Sequence, residues 1–203
     1  MPKALAILQI KATSAPPLPS PADLKRLDSL TQLLELFHAA TRNVEGDHLT
    51  LALVPSVIHD LQQKLLEAAS EKDQVTRSQC ALLFSNALRA RFGFIFSEVN
   101  LALQAAALHP SFGHLPWISA ELRDAVWLSL KKLGNSLRAS EESSKVSMSI
   151  KPFLKAIRKE FEGKPGREVE DPLAWWKSQL EFVCLYPLVQ RLWSIPAASA
   201  SSD

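Results

Sequence analysis

An apolar side chain returns every third or fourth residue along most of this chain, and no stretch alternates apolar and polar residues at period two. Leu24, Leu27, Leu30, Leu34 and Phe37 keep the spacing, and Val54, Ile58, Leu61 and Leu65 repeat it. Cys80, Phe84 and Leu88 follow, then Leu122, Val126, Leu130, Leu133 and Leu137, then Ile150, Leu154, Ile157 and Phe161. Residues at that interval share one stripe of an α-helix, whereas a strand would place every second residue on a face. Glycine sharpens the reading, because only 6 of 203 residues are glycine and they form no cluster. Neither G-x-G-x-x-G nor G-x-x-x-x-G-K-[ST] occurs, which excludes the nucleotide-binding loops of many α/β enzymes. The pattern predicts an all-α fold, an irregular helical domain of about seven or eight helices.

Punctuation divides the chain into four. Residues 1–22 end in the proline-rich run TSAPPLPSP, an extended and flexible segment. Ser20-Pro21 followed by Asp23 starts a helix that ends near Asn43, and Gly46-Asp47 breaks the chain after it. Residues 23–140 form a helical domain, in which Pro55 is placed in an opening turn and a third helix covers Ser70 to Arg91. Residues 141–170 are a polar and basic connector with one helix, and residues 171–203 hold two short helices, Asp171–Phe182 and Tyr186–Ser194.

Charge and cysteine usage narrow the class of partner and the compartment. Twenty-three basic residues against 21 acidic ones leave +2, too balanced for a strongly basic nucleic-acid binder or an acidic solvating tail. Cys80 and Cys184 are too few and too distant for a disulfide framework or a zinc knuckle, and their apolar neighbours mark them as reduced core thiols. The N-terminal run Ala4–Ile10 is too short for a secretory signal, and no window approaches the roughly 20 apolar residues that span a bilayer. These features point to a reducing compartment, the nucleus or the cytoplasm, and to no membrane.

No constellation of catalytic residues emerges. His109 and His114 share a loop without a nearby cysteine, and no H-E-x-x-H is present. The carboxylates Glu141-Glu142, Glu160/Glu162 and Glu168/Glu170/Asp171 are adjacent in sequence, whereas a two-metal site needs them to converge from separate elements. No G-x-S-x-G elbow positions a serine nucleophile. The expectation is a non-enzyme with no catalytic or metal residues, no cofactor and no small-molecule substrate.

Two segments have interaction chemistry. Between Lys145 and Arg167 seven basic residues face only Glu160 and Glu162, a local surplus of +5. Lys151, Lys155, Arg158 and Lys159 fall at helical spacing, and they either solvate the face opposite Leu154 and Phe161 or lie along a phosphate backbone. In the second case binding is weak and sequence-independent, with log affinity falling against log salt at a slope of about −3 to −4. The other segment holds adjacent Trp175 and Trp176, which project about 100° apart on a helix, followed by Tyr186, Leu188, Leu192 and Trp193. Aromatic sets of this kind build either a core or an interface.

That second segment also carries a family resemblance. D-P-L-A-W-W-K-S at Asp171–Ser178, then Tyr186-Pro187-Leu188-Val189, then Ser194-Ile195-Pro196-Ala197-Ala198-Ser199-Ala200, resembles the C-terminal dimerisation segment of hAT-superfamily transposases and the BED-type zinc-finger proteins derived from them. Upstream, Leu33-Leu34, Phe37, Ala40-Thr41, Leu53-Val54-Pro55, Ile58 and Leu61 resemble the helical insertion those proteins carry. AAALHPSF at Ala105–Phe112 is similar to the family's A-x-L-L-D-P-R-F, with His109 replacing the acid and Ser111 the arginine. The resemblance covers roughly residues 24–203 and implies a truncated, catalytically empty remnant: the strands bearing two catalytic aspartates are absent, Asp203 stands where the family has a glutamate, and no zinc finger is present. It further implies self-association, or pairing with related chains, through Leu173, Trp175, Trp176, Tyr186, Pro187, Leu188, Leu192, Trp193, Ile195 and Pro196. The alternatives are a transposase component acting in trans and a plain helical scaffold.

Overall fold

A helix starts where a side chain can satisfy its first free amides, and Ser20 does this for the first one. In this computed structural model, which describes residues 18–45, 50–71, 75–136, 152–156, 169 and 171–195, the Ser20 hydroxyl accepts from the Asp23 amide at 3.2 Å. The Asp23 carboxylate in turn accepts from the Ser20 amide at 3.1 Å, completing a capping box in front of Pro21. The Ser20 hydroxyl, which donates to the Asp23 carboxylate at 2.6 Å, and then the Ser20 amide hold the Asp23 carboxyl below its usual range. Helix α1 runs Pro21–Val44, α2 Thr50–Ala69 and α3 Val75–Phe92; a 3-10 turn, Gly93–Phe96, leads into the short α4, Leu101–Ala107. Then come α5, Ala120–Ser136; α6 at 152–156; α7, Pro172–Ser178; a 3-10 segment, Leu180–Leu185; and α8, Tyr186–Trp193. All regular structure among the described residues is helical, as periodicity predicts, and none of these helices is long and apolar enough to cross a membrane.

Two apolar clusters hold the fold, and α2 joins them. Its 20 residues make a rod about 30 Å long. Leu61, Leu65 and Ala68 near its C-terminal end pack with Leu33 of α1 and with Ala81 and Leu88 of α3. Phe37 and Phe84 close this cluster edge to face, their centroids 5.5 Å apart. Leu51 and Ala52 at the other end of α2 belong to the second cluster, with α4, α5 and the C-terminal segment.

Two expectations are corrected here. Pro55 lies inside α2 rather than in its opening turn, because Leu51 and Ala52 are drawn into the second cluster and extend the helix by a turn at its start. On α1 the stripe Leu24, Leu27, Leu34 is half exposed, at 55%, 54% and 56%, whereas Leu33 is fully buried with Leu36, Phe37 and Ala40 beside it. The helix has leucines on two faces, and contact with α2 and α3 selects the one through Leu33.

Candidate functional site

The C-terminal segment is held onto the end of α4, and the reason begins with α4 itself. Asn100 caps this helix by accepting from the Leu103 amide at 3.0 Å. From Ala102 to Ala107 every residue is buried, so its last carbonyls must find donors within the protein; the Leu108 amide reaches the Ala105 carbonyl at 3.2 Å and the His109 amide the Ala106 carbonyl at 3.0 Å. Two indoles add to these. Trp193 Nε1 donates to the Ala105 carbonyl at 3.1 Å, and Trp176 Nε1 donates to the Leu108 carbonyl at 3.0 Å. Each indole therefore buries a large ring while its one polar atom closes the end of a helix about 70 to 90 residues earlier in the chain.

Helix α7 is built to present Trp176. Asp171 accepts from the Ala174 amide at 2.9 Å and Pro172 occupies the first turn, so D-P-L-A functions as a helix start. Trp176 then stacks on Phe153 of α6, centroids 4.9 Å apart and planes 23° apart. Phe153 is fully buried and also meets Trp175, Phe182 and Trp127 edge to face. Both tryptophans of the W-W pair thus touch one ring: Trp176 lies over its face, and half-buried Trp175 meets it edge to face.

Beside this cluster His109 is 3% exposed, stacked on Phe112 at 4.5 Å and tilted against Trp193 at 5.8 Å. Its Nδ1 accepts from the Ser111 amide, and the Ser111 hydroxyl accepts from the Val169 amide at 2.9 Å. Burial pushes the imidazole pKa down to about 3, so it is neutral at physiological pH. A neutral ring and a hydroxyl suit this buried site far better than an unpaired charge would.

The residues singled out for dimerisation divide by burial. Trp176, Leu188, Leu192 and Trp193 are core side chains, 6% exposed or less. Leu173, Trp175 and Tyr186 pack partly buried against that core, and Pro187 and Ile195 along the same segment are half-buried. Pro196 lies outside the described residues, and so do Lys151, Arg158 and Lys159 of the basic stripe, while Lys155 is exposed. What the segment offers to solvent is a different pair, Leu180 at 81% and Val183 at 66% exposure. These two lie three apart in a 3-10 segment whose backbone leaves helical geometry at Phe182, and both stand out to solvent as a short apolar ridge while Phe182, Cys184 and Leu185 are buried.

Sequence reasoning passed over Phe153, because the stripe Ile150, Leu154, Ile157, Phe161 steps across it. It also passed over Leu180 and Val183, whose spacing of three was the available signal. Cys184 is a buried thiol, as its neighbours suggest, and Cys80 is a half-buried one. Among the described residues no group of three His, Cys, Asp or Glu is placed to hold a metal ion. Comparison with known proteins finds no family model, no curated protein and no solved structure that matches this chain.

Proposed function

We propose that this protein is a non-enzymatic, transposase-derived helical module that self-associates, or pairs with related chains, through its C-terminal segment. The observation that carries the reading is the Leu180–Val183 ridge. Two large apolar side chains stand almost free of the fold on a segment anchored immediately behind them by Trp176 and Trp193. Apolar side chains that leave water on docking favour association. The motif order D-P-L-A-W-W … Y-P-L-V … S-I-P-A supports the kinship. In this reading the tryptophans act indirectly, by holding the ridge in place, and Leu180 and Val183 make the contact. Contact with DNA is weak and sequence-independent, through the basic stretch that includes Lys155, and the protein works in the nucleus.

Sedimentation equilibrium tests the proposal. Wild type shows a concentration-dependent dimer, and Leu180→Asp with Val183→Asp abolishes it while leaving the far-UV circular dichroism and the melting temperature of the monomer unchanged. A strict monomer at every concentration would remove self-association from the account.

A further inference from the structure

Among the 13 prolines, Pro21 alone follows a serine or a threonine, in the dipeptide Ser20-Pro21. The fold leaves that serine open to a large partner. Leu18, Pro19 and Ser20 are exposed and lie outside regular structure, and Ser20 is extended, with φ −67° and ψ 160°. Prolines on both sides limit the freedom this segment gives up on binding. Among the described residues the Ser20 hydroxyl is engaged only within its own turn, where it accepts from the Asp23 amide at 3.2 Å and donates to the Asp23 carboxylate at 2.6 Å. Pro21, Ala22 and Leu24 of that turn are exposed too, so its fraying sacrifices little burial.

An exposed hydroxyl on extended chain is what a protein kinase needs, and the neighbouring residues decide which kind can use it. A pocket that offers no acceptor after the hydroxyl selects proline, since any other residue would leave its backbone N–H unsatisfied there. The charges that basophilic kinases read ahead of the hydroxyl are missing, as residues 12–19 contain no lysine or arginine. An acidophilic kinase would read Asp23, but that carboxylate is folded back onto the Ser20 amide and hydroxyl and pairs with Arg26 at 3.5 Å.

We propose that Ser20 is a phosphorylation site for a proline-directed serine/threonine kinase, and that the phosphate takes over the cap of α1. Ser20 Oγ attacks the terminal phosphorus of ATP, and the new O–P bond forms as the bond from that phosphorus to the bridging oxygen breaks. ADP leaves, and the hydroxyl proton passes to a carboxylate of the kinase. Phosphate oxygens still accept from the Asp23 amide, and their charge lies at the positive end of a 24-residue helix. The modified oxygen has no proton left for the Asp23 carboxylate, and like charges repel, so that carboxylate turns to Arg26.

Incubating the folded full chain with Mg-ATP and either a cyclin-dependent or a mitogen-activated kinase, then mapping phosphate by mass spectrometry, tests the assignment. One phosphate on Ser20 is expected, and Ser20→Ala should take up none. Pro21→Ala, which keeps a good helix former in the first turn, should slow incorporation at least about tenfold with the far-UV circular dichroism unchanged. Asp23→Asn should leave incorporation in place. In the phosphorylated chain the Asp23 amide resonance should move downfield, because a charged acceptor has replaced a neutral one. No incorporation by either kinase, phosphate elsewhere in the folded chain, or labelling only after denaturation would each overturn the proposal. Labelling that survives Pro21→Ala and is lost with Asp23→Asn would assign the site to an acidophilic kinase instead, and random-coil shifts at Asp23 after phosphorylation would overturn the capping role.

Discussion

The cluster at the C-terminal end of α2 and the one at its start share a helix but are assembled differently. The first is made from α1, α2 and α3, consecutive in sequence, and its fully packed residues are aliphatic: Leu33, Leu61, Leu65, Ala68, Ala81 and Leu88. The second draws on α2, α4, α5, α6 and the C-terminal segment, and its centre is aromatic, with Phe153, Trp176, Phe182 and Trp193 buried together. It is also bonded through polar atoms, since two indoles close the end of α4. Neighbouring helices need little beyond shape and hydrophobicity, and here short-range polar contacts such as Gln62 Nε2 to the buried Ser85 hydroxyl at 2.6 Å add to these. Distant segments must lose far more chain entropy to meet, and here large rings and buried hydrogen bonds offset that loss.

The contrast can be broken from either side. Phe153→Ala should give the largest effect, a loss of about 3–5 kcal/mol, because it opens a cavity facing four aromatic rings at once. Chemical denaturation measures it, and amides of α4, α7 and α8 should lose their exchange protection together. Leu65→Ala in the other cluster should cost about 2–4 kcal/mol. Its signature differs: amides of α1 and α3 should exchange fastest, while those around Trp176 and Trp193 keep most of their protection.

Acid should weaken the second cluster selectively. The pKa of His109 is about 3 in the folded chain and near 6.5 when unfolded, so the unfolded state takes up the proton first as pH falls. Stability is therefore complete above about pH 6.5 and is lost progressively below it, by about 3 kcal/mol at about pH 4. His109→Gln, an uncharged side chain, should flatten this acid limb. The measurement is the difference in unfolding free energy between wild type and variant at several pH values, and an unchanged acid limb would show that another group titrates.

Much of the first cluster could be read from the sequence. Ser20 and Asp23 announce a helix start by their spacing alone, and Cys80, Phe84 and Leu88 lie on one face as their interval requires. Local rules failed where a helix has apolar residues on two faces: only the position of α2 and α3 decides that Leu33 enters and Leu34 stays out. The second cluster was less legible for the same reason. Nothing near Trp193 in sequence reveals that its partner is the Ala105 carbonyl, and Phe153 is off the helical stripe on which it was sought. The W-W pair stands out in the sequence, but Leu180 and Val183 lie among the equally apolar Phe182, Cys184 and Leu185, and only the fold decides which of them stay outside.

The distinction between an internal anchor and an external contact comes down to Trp193. Trp193→Phe keeps an aromatic ring but loses the pyrrole part of the indole with its N–H, which takes that donor from the buried Ala105 carbonyl and leaves a small cavity. Equilibrium unfolding of wild type and variant, compared across about a hundredfold range of protein concentration, measures what the lost atoms contribute. We expect a loss of about 1–3 kcal/mol that is the same at every concentration, because the bond lies within one chain. A loss that appears only at the higher concentrations would place the indole between chains and contradict this description of the core.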